Sequence, residues 1–276
     1  MYEAYLKAFL ELMKLEGVTG EQVARRIRIV LEILSEADKS GLVTEEMFMA
    51  WSELLLNLDD AEGVVEVLSK AVDAWSTPSL CERYLSVISQ ITDNWETLCE
   101  EFEKCIKKMD EKGSLAIWEL WMNTCTERDA KNAVKVFEMS LSARKQVAEL
   151  GRQKYLEWAY ERQGIKEFRK LFKRLKDTCP LTLDVLQLAL SLENSQETKS
   201  LSRIRKLHEL AIDSFGTMSI DCWLEYISFE LEQEETAIDT VGSIYWRALK
   251  MLESHLVGEF IDKYTLLKTT SSASMG

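Results

Sequence analysis

The chain has 276 residues, with 34 Lys and Arg against 47 Asp and Glu, so its formal net charge is −13. A protein that coats nucleic acid over its whole surface needs an excess of basic residues, so this balance favours protein partners and confines any RNA contact to a local patch. Only two prolines and eleven glycines are present. An all-β chain needs turn residues far more often, so helix is the predicted state throughout.

Three further features of the sequence bear on the class of protein. No apolar run approaches the ~18 residues that a membrane-spanning helix needs, so we expect no membrane contact. The first residues already have charge and helical spacing, which predicts a piece of a longer protein. The cysteines stand singly rather than in C-x-x-C pairs, which is typical of buried thiols in a reducing compartment; they are Cys81, Cys99, Cys105, Cys125, Cys179 and Cys222.

A pair of aromatic or apolar residues three positions apart recurs along the chain. The pairs are Phe48/Trp51, Cys81/Tyr84, Trp118/Trp121, Tyr155/Trp158, Leu186/Ala189 and Trp223/Tyr226. Successive pairs lie 31 to 37 residues apart, which is the repeat length of helical hairpins. A spacing of three places both side chains on one face of a helix, where they meet the same neighbour.

The hydrophobic periodicity and the breaks between periodic segments predict the helices in chain order. An incomplete hairpin near 2–16 and 21–38 comes first. First helices of hairpins follow near 44–57, 79–91, 115–126, 149–163, 182–193 and 219–233. Second helices lie near 60–75, 94–110, 129–146, 165–177, 198–214 and 237–252, each with an apolar stripe. Thr44 and Ser219 are predicted N-terminal caps, and Lys112-Gly113-Ser114 is a predicted break.

Helix pairs of this kind bury their apolar faces by stacking on their neighbours. The predicted fold is therefore all-α, a right-handed superhelical solenoid of antiparallel helix hairpins. Residues 1–268 would form a single solenoid of about six to seven hairpins that ends in a short capping helix after Leu256. Residues 269–276 have the composition of a disordered tail.

The last hairpin resembles the half-a-TPR (HAT) repeat. Trp223, Tyr226 and Glu230 are followed by the run Ile244-Tyr245-Trp246-Arg247-Ala248-Leu249, and Tyr155, Trp158 and Glu161 form a weaker counterpart. HAT repeats occur almost wholly in RNA-processing assemblies, so the resemblance implies that setting and a non-enzymatic scaffold.

The C-terminal residues narrow the resemblance within the HAT family. The run from Ile244 to Leu252, followed by Phe260-Ile261-Asp262-Lys263-Tyr264, is similar to the end of a HAT protein of the small-subunit processome. This similarity implies a nucleolar and nuclear location and a role in early pre-18S ribosomal RNA processing. It also implies partners among the proteins of a pre-ribosomal complex, WD-repeat propeller proteins in particular. Because the end of the chain caps the last repeat, we expect a monomer in isolation.

No arrangement of residues predicts catalysis or a cofactor. The two histidines, His208 and His255, are too far apart in sequence to form a metal pair on one helix face, and no H-E-x-x-H, P-loop or G-x-G-x-x-G motif occurs. The many carboxylates lie in runs that are typical of solvated helix faces. We therefore predict no enzyme activity, no metal site and no cofactor.

Basic residues cluster in two predicted second helices. Lys166, Lys170, Lys173 and Arg174 lie opposite an apolar stripe, and Arg203 and Lys206 lie in the next hairpin. Adjacent hairpins would bring the two clusters side by side as a strip that contacts an acidic peptide or an RNA backbone, although a solvated face explains the same pattern. The repeat residues Trp118, Trp121, Tyr155, Trp158, Trp223, Tyr226, Glu230 and Arg247 are interpreted as structural.

Other functions remain open on the sequence alone. One is a HAT scaffold of a splicing or mRNA 3′-end processing complex, which only the C-terminal run from Ile244 to Tyr264 argues against. Another is a direct RNA-binding module that uses the basic strip. A peptide-binding tetratricopeptide adaptor of the cytosol is disfavoured by the Trp223, Tyr226 and Glu230 pattern.

Overall fold

The computed structural model describes residues 20–178, 180–233 and 238–274. All the regular elements within these residues are α-helices, so the predicted all-α class is confirmed. They are α1 (Gly20–Lys39), α2 (Glu45–Asn57), α3 (Ala61–Ala74), α4 (Pro78–Ile91), α5 (Trp95–Lys108), α6 (Glu111–Arg128), α7 (Ala130–Leu141), α8 (Lys145–Gln163), α9 (Ile165–Thr178), α10 (Leu183–Asn194), α11 (Leu201–Phe215), α12 (Ile220–Leu231), α13 (Ile238–Met251) and α14 (Val257–Ser274). The predicted helix near 2–16 and Cys179 lie outside the described residues.

The chain divides into two compact units, residues 1–151 and 152–276. In the first unit the paired helices α2 with α3, α4 with α5, and α6 with α7 contact each other, and α4 also contacts α6. In the second unit α10 contacts α11, α12 contacts α13, and α12 also contacts α14. Each unit is thus built of helix hairpins in which helices of successive hairpins meet.

Side-chain caps determine where many of the helices begin. Thr44 and Ser219 accept hydrogen bonds from backbone N–H groups three residues ahead, which confirms both predicted caps. Asp110 caps α6 in the same way, with its carboxylate 2.7 Å from the Gly113 nitrogen. Because of this cap, Lys112-Gly113-Ser114 lies inside the first turn of α6, and the predicted break there is wrong. A Cβ atom at Gly113 would lie 3.1 Å from Pro78 Cγ, so the glycine serves a close approach rather than a turn.

Two other boundaries differ from the prediction. α7 ends at Leu141, where Ser142 is the C-cap, and α8 begins at Lys145 rather than near 149. Val147 is buried in this first turn of α8, so packing extends the helix toward its N-terminus. Gly164 alone separates α8 from α9, and its φ of +74° is in the left-handed region that glycine adopts without a Cβ clash.

The helix expected after Leu256 is present and is longer than predicted. α14 continues to Ser274, so residues 269–274 are helical where a disordered tail was expected. No proline or glycine follows Gly258 before the last residue, and the Thr265 and Thr269 hydroxyls donate to backbone carbonyls of the same helix. Phe260, which is fully buried, attaches α14 to the fold by stacking on Tyr245, with 5.6 Å between ring centroids.

The described residues contain five cysteines as free thiols, four of them buried. Among the described helices, none combines the length and the apolar character that crossing a bilayer requires.

Candidate functional site

A groove in the second unit is the candidate binding site. It lies between α9, α10 and α11 and has a volume of about 210 Å³. Among the described residues, five basic side chains and one carboxylate line it, together with apolar side chains that form its floor. The charged members are Arg169, Lys173, Lys176, Arg203, Lys206 and Glu193. We call this site the basic groove; it concentrates positive charge on a chain whose formal net charge is −13.

The helical repeat positions the basic residues of α9. Phe168, Leu171 and Leu175 are buried and form the inner stripe of this helix. Arg169, Lys173 and Lys176 follow one another at spacings of four and three, so they lie along one edge of that stripe. Packing of the stripe therefore holds the three cations at the wall of the groove.

The floor of the basic groove rests on the core of the second unit. Phe172 of α9 and Leu210 of α11 are half-buried and pack against a buried cluster of Leu186, Ala211 and Cys222. Because these neighbours are close-packed, the floor is held in place by the core rather than by the groove's own charged side chains.

An ion pair lies in the lining of the groove. Arg169 donates two hydrogen bonds to Glu193, from Nε to Oε1 at 2.8 Å and from Nη2 to Oε2 at 2.7 Å. Glu193 is only 2 % exposed, and a buried carboxylate needs such a partner. The hydrogen bonds to Glu193 raise the pKa of the Arg169 guanidinium above the ordinary value for arginine. Arg203 lies 3.8 Å from the same carboxylate, so the single negative charge of the lining is already matched.

Three lysines of the basic groove have no carboxylate partner among the described residues. Lys173, Lys176 and Lys206 are exposed, and none of the described carboxylates forms an ion pair with them. Lys173 and Lys176 belong to α9 and Lys206 to α11, so the unmatched charge faces the groove from two walls. Such a site is electrostatically suited to an anionic ligand.

Three of the six residues of the predicted basic strip line the basic groove, and three do not. Lys173, Arg203 and Lys206 line the basic groove together with Arg169 and Lys176. The three other predicted members do not line it: Lys170 pairs with Glu167 at 3.2 Å, Arg174 lies over the Tyr155 ring at 5.8 Å, and Lys166 is exposed. The predicted strip joined two neighbouring faces of α9, and the spacing of Arg169, Lys173 and Lys176 separates the face that lines the groove.

The aromatic residues of the repeat are packed inside the two units. Each is at most 8 % exposed: Trp118, Trp121, Tyr155, Trp158, Trp223 and Tyr226. Trp121 stacks on Phe102 with ring centroids 5.1 Å apart, and Trp223 donates to the Gly216 carbonyl at 2.7 Å. Stacking on nucleic-acid bases needs an open ring face, so these rings do not offer that platform.

The acidic position of the repeat forms ion pairs between hairpins. Glu230, fully buried, receives two hydrogen bonds from Arg205 at 2.7 and 2.9 Å. Its counterpart is Glu193 rather than Glu161, which is exposed. Glu193 follows Leu186 by seven residues, as Glu230 follows Trp223, and this shared spacing is the sequence signal that identifies Glu193.

Arg247, the remaining repeat residue, also pairs between hairpins, but with a partly exposed carboxylate. It donates to both carboxylate oxygens of Glu209, at 2.9 and 2.6 Å, and its guanidinium lies 5.8 Å from the centroid of the Trp223 ring. These hydrogen bonds lower the pKa of Glu209. Arg247 thereby attaches α13 to α11 beside the buried tryptophan.

His208 is packed rather than positioned for chemistry. It is 4 % exposed and stacks on Tyr226 with ring centroids 4.9 Å apart. Burial lowers its pKa to about 4, so the ring is neutral near pH 7. Over the described part of the chain, no group of three or more His, Cys, Asp or Glu side chains is arranged to hold a metal ion.

The fold and the groove together describe an all-helical protein of successive hairpins with a site suited to an anionic ligand. A family model described as "U3 small nucleolar RNA-associated protein 6 C-terminal" matches residues 1–252. The chain belongs to this family.

Two curated relatives are similar over almost the whole chain. The U3 small nucleolar RNA-associated protein 6 homolog of Mus musculus is 25% identical over 275 residues, which cover 96% of this chain. The homolog of Homo sapiens is 24% identical over 277 aligned residues, which cover 98% of this chain. The match spans 45% of each relative's length, so the chain corresponds to less than half of either protein.

Proposed function

We propose that this chain is a non-enzymatic interaction scaffold of a nucleolar pre-ribosomal particle, the small-subunit processome. In that role it supports early processing of pre-18S ribosomal RNA and assembly of the small ribosomal subunit. The observation that carries the proposal is the family match over residues 1–252, because the family is described by its association with a small nucleolar RNA. The nucleolar location expected from the sequence agrees with that description.

The architecture we propose for this role is a solenoid of HAT repeats. Three features support it: the paired helices, the contacts of α4 with α6 and of α12 with α14, and the Trp223, Tyr226 and Glu230 positions. Arg169 with Glu193 and Arg205 with Glu230 lie at nearly the same spacing in successive hairpins. Repeats that contact only their neighbours in this way form extended surfaces for partners. The single right-handed superhelix over residues 1–268 is part of this proposal.

The proposed mechanism is geometric. Packed hairpins hold surface side chains in fixed relative positions, so a partner segment binds without ordering the scaffold first. The partners are other proteins of the particle, among them WD-repeat propeller proteins, while RNA contact is local and the chain is monomeric in isolation. No cofactor takes part in this role.

The test is affinity purification of the chain from cells, with nuclease treatment before elution and mass spectrometry of the eluate. Processome proteins that stay bound after nuclease support a protein-binding scaffold. Recovery of splicing or mRNA 3′-end processing factors alone would assign the chain to another RNA machine and contradict the proposal.

The groove lysines that have no ion-pair partner in the described part of the chain favour one second candidate, a direct RNA-binding module. Binding to phosphates releases counterions, so affinity for a single-stranded RNA would fall with salt by roughly 0.7 log unit per log unit of salt for each phosphate contacted. Fluorescence anisotropy with a labelled single-stranded RNA, at several salt concentrations, measures that slope. A flat slope or the absence of binding excludes this function.

A further inference from the structure

We infer that the basic groove binds an acidic peptide segment of a partner protein, with one apolar side chain of that segment on the groove floor. The inference rests on the proposed function only in taking the partner to be a protein. It assigns a surface and a chemistry to that interaction.

The charge of the lining selects an anionic ligand. Glu193 is the one carboxylate among the described lining residues, and Arg169 and Arg203 lie against it. Lys173, Lys176 and Lys206 have no ion-pair partner among the described carboxylates. A ligand that brings carboxylates to this groove therefore forms ion pairs without displacing existing ones.

The size and floor of the groove indicate a single apolar anchor. Its volume of about 210 Å³ is below the ~300 Å³ at which small-molecule pockets begin. Phe172 and Leu210 form an apolar floor that is held by the core beneath it. One large side chain fills such a space, and buried anchors of this type supply most of the affinity of small protein interfaces.

The positions of the cations determine the pattern of the segment. Lys173 and Lys176 line the groove from α9 and Lys206 from α11, and the floor residues Phe172 and Leu210 belong to the same two helices. The matching segment therefore has carboxylates on both sides of its apolar residue. Lysine ammonium groups are flexible point charges that donate to such carboxylates without strict geometry.

RNA fits the same groove less well. Recognition of single-stranded RNA combines phosphate contacts with bases stacked on open aromatic faces. Of the two aromatic rings in the lining, Phe168 is 1 % exposed, so only the half-buried Phe172 offers part of a ring face. An acidic peptide uses both the charge and the floor, whereas an RNA backbone uses only the charge.

The experiment is selection of a phage-displayed library of random 16-residue peptides on the 276-residue chain. Selections on two double variants run in parallel. Lys173→Glu/Lys206→Glu reverses charge in the groove. Lys131→Glu/Lys135→Glu makes the same change of net charge at two exposed lysines of α7, outside the groove. Circular dichroism spectra and melting curves of all three proteins establish that each is folded.

The expected result is enrichment of peptides with an apolar residue between acidic residues, on the wild type and on the α7 control. Measured by fluorescence anisotropy, the affinity of the most enriched peptide falls at least about tenfold on Lys173→Glu/Lys206→Glu, since each ion pair is lost and replaced by repulsion. Replacing the central apolar residue of the peptide by serine weakens binding by about tenfold. Raising the salt weakens the charge-dependent part of the binding, whereas the apolar contact on the groove floor is not screened.

Any one of four results would overturn the inference. The enriched peptides lack acidic residues, or they bind the groove variant as tightly as the wild type, or the serine substitution leaves their affinity unchanged. In the fourth, a labelled 16-nucleotide RNA binds the wild type and loses affinity on the groove variant, whereas no selected peptide shows this loss. Affinity purification of the wild-type chain separates these from failure of the proposed function: processome proteins recovered there keep the scaffold proposal while the groove assignment falls.

Discussion

Removal of Arg169 should destabilise the second unit more than removal of its partner Glu193. In Arg169→Met, the Glu193 carboxylate stays 2 % exposed and keeps only Arg203, at 3.8 Å. Leaving one partner of a buried pair costs ~3–5 kcal/mol. Because Arg203 compensates in part, we expect the free energy of unfolding to fall by about 3 kcal/mol, at the lower end of that range.

The reverse substitution tests the asymmetry. The Arg169 side chain is 30% exposed, so in Glu193→Leu its charge is returned to water, and we expect a loss of only about 1 kcal/mol. The double variant Arg169→Met/Glu193→Leu leaves no buried charge behind. Because apolar replacement of a buried pair is often neutral, it should be about 2 kcal/mol more stable than Arg169→Met alone.

Urea denaturation measures these free energies, with circular dichroism and tryptophan fluorescence as two probes whose transitions should coincide. Lys170→Met is the matched control, because this side chain is 78% exposed and its pair with Glu167 lies on the surface; it should change stability by less than ~0.5 kcal/mol. A stabilising buried pair would be refuted if Arg169→Met and Glu193→Leu each lowered the free energy of unfolding by less than ~1 kcal/mol and the double variant lost the sum of the two.

Two further perturbations test the packing and the buried histidine. A Cβ at Gly151 would lie 2.0 Å from the hydroxyl oxygen of the buried Ser140, so Gly151→Ala should cost about 2 kcal/mol and Ser140→Gly in the same chain should restore most of it. Thermal denaturation followed by circular dichroism measures both, and an unchanged Gly151→Ala would contradict the close approach of α7 to α8. His208 has a pKa lowered to about 4 by burial from its ordinary 6.5, so the unfolded chain takes up the proton first. Stability should therefore decline as the pH falls from about 6.5 toward 4, by up to about 3 kcal/mol from this residue. His208→Phe keeps the stack on Tyr226 and should show a shallower decline in urea denaturation at several pH values; equal slopes would show that His208 is not the source.

The helices and much of their order are determined by local features of the sequence. Apolar periodicity and the caps Thr44 and Ser219 act within one or two turns of helix, so they are readable without a partner element. The burial of Trp223 and Tyr226 follows from the same repeat. The sequence also located the basic clusters on α9 and α11, because charge density along a helix needs no tertiary information.

The tertiary structure decided which of these residues meet. Lys173 lines the basic groove and Lys170 does not, because the packing of Phe168 and Leu175 turns one edge of α9 toward α11. The pairing of Arg169 with Glu193 joins positions 24 residues apart, and no local pattern specifies which of many carboxylates becomes buried. Gly113 is a second example. Its local sequence predicts a break, but it lies in α6 because Asp110 caps that helix and Pro78 lies close to the glycine. Local spacing determines the elements, whereas burial depends on the neighbour that covers each face, and that neighbour is supplied only by the folded chain.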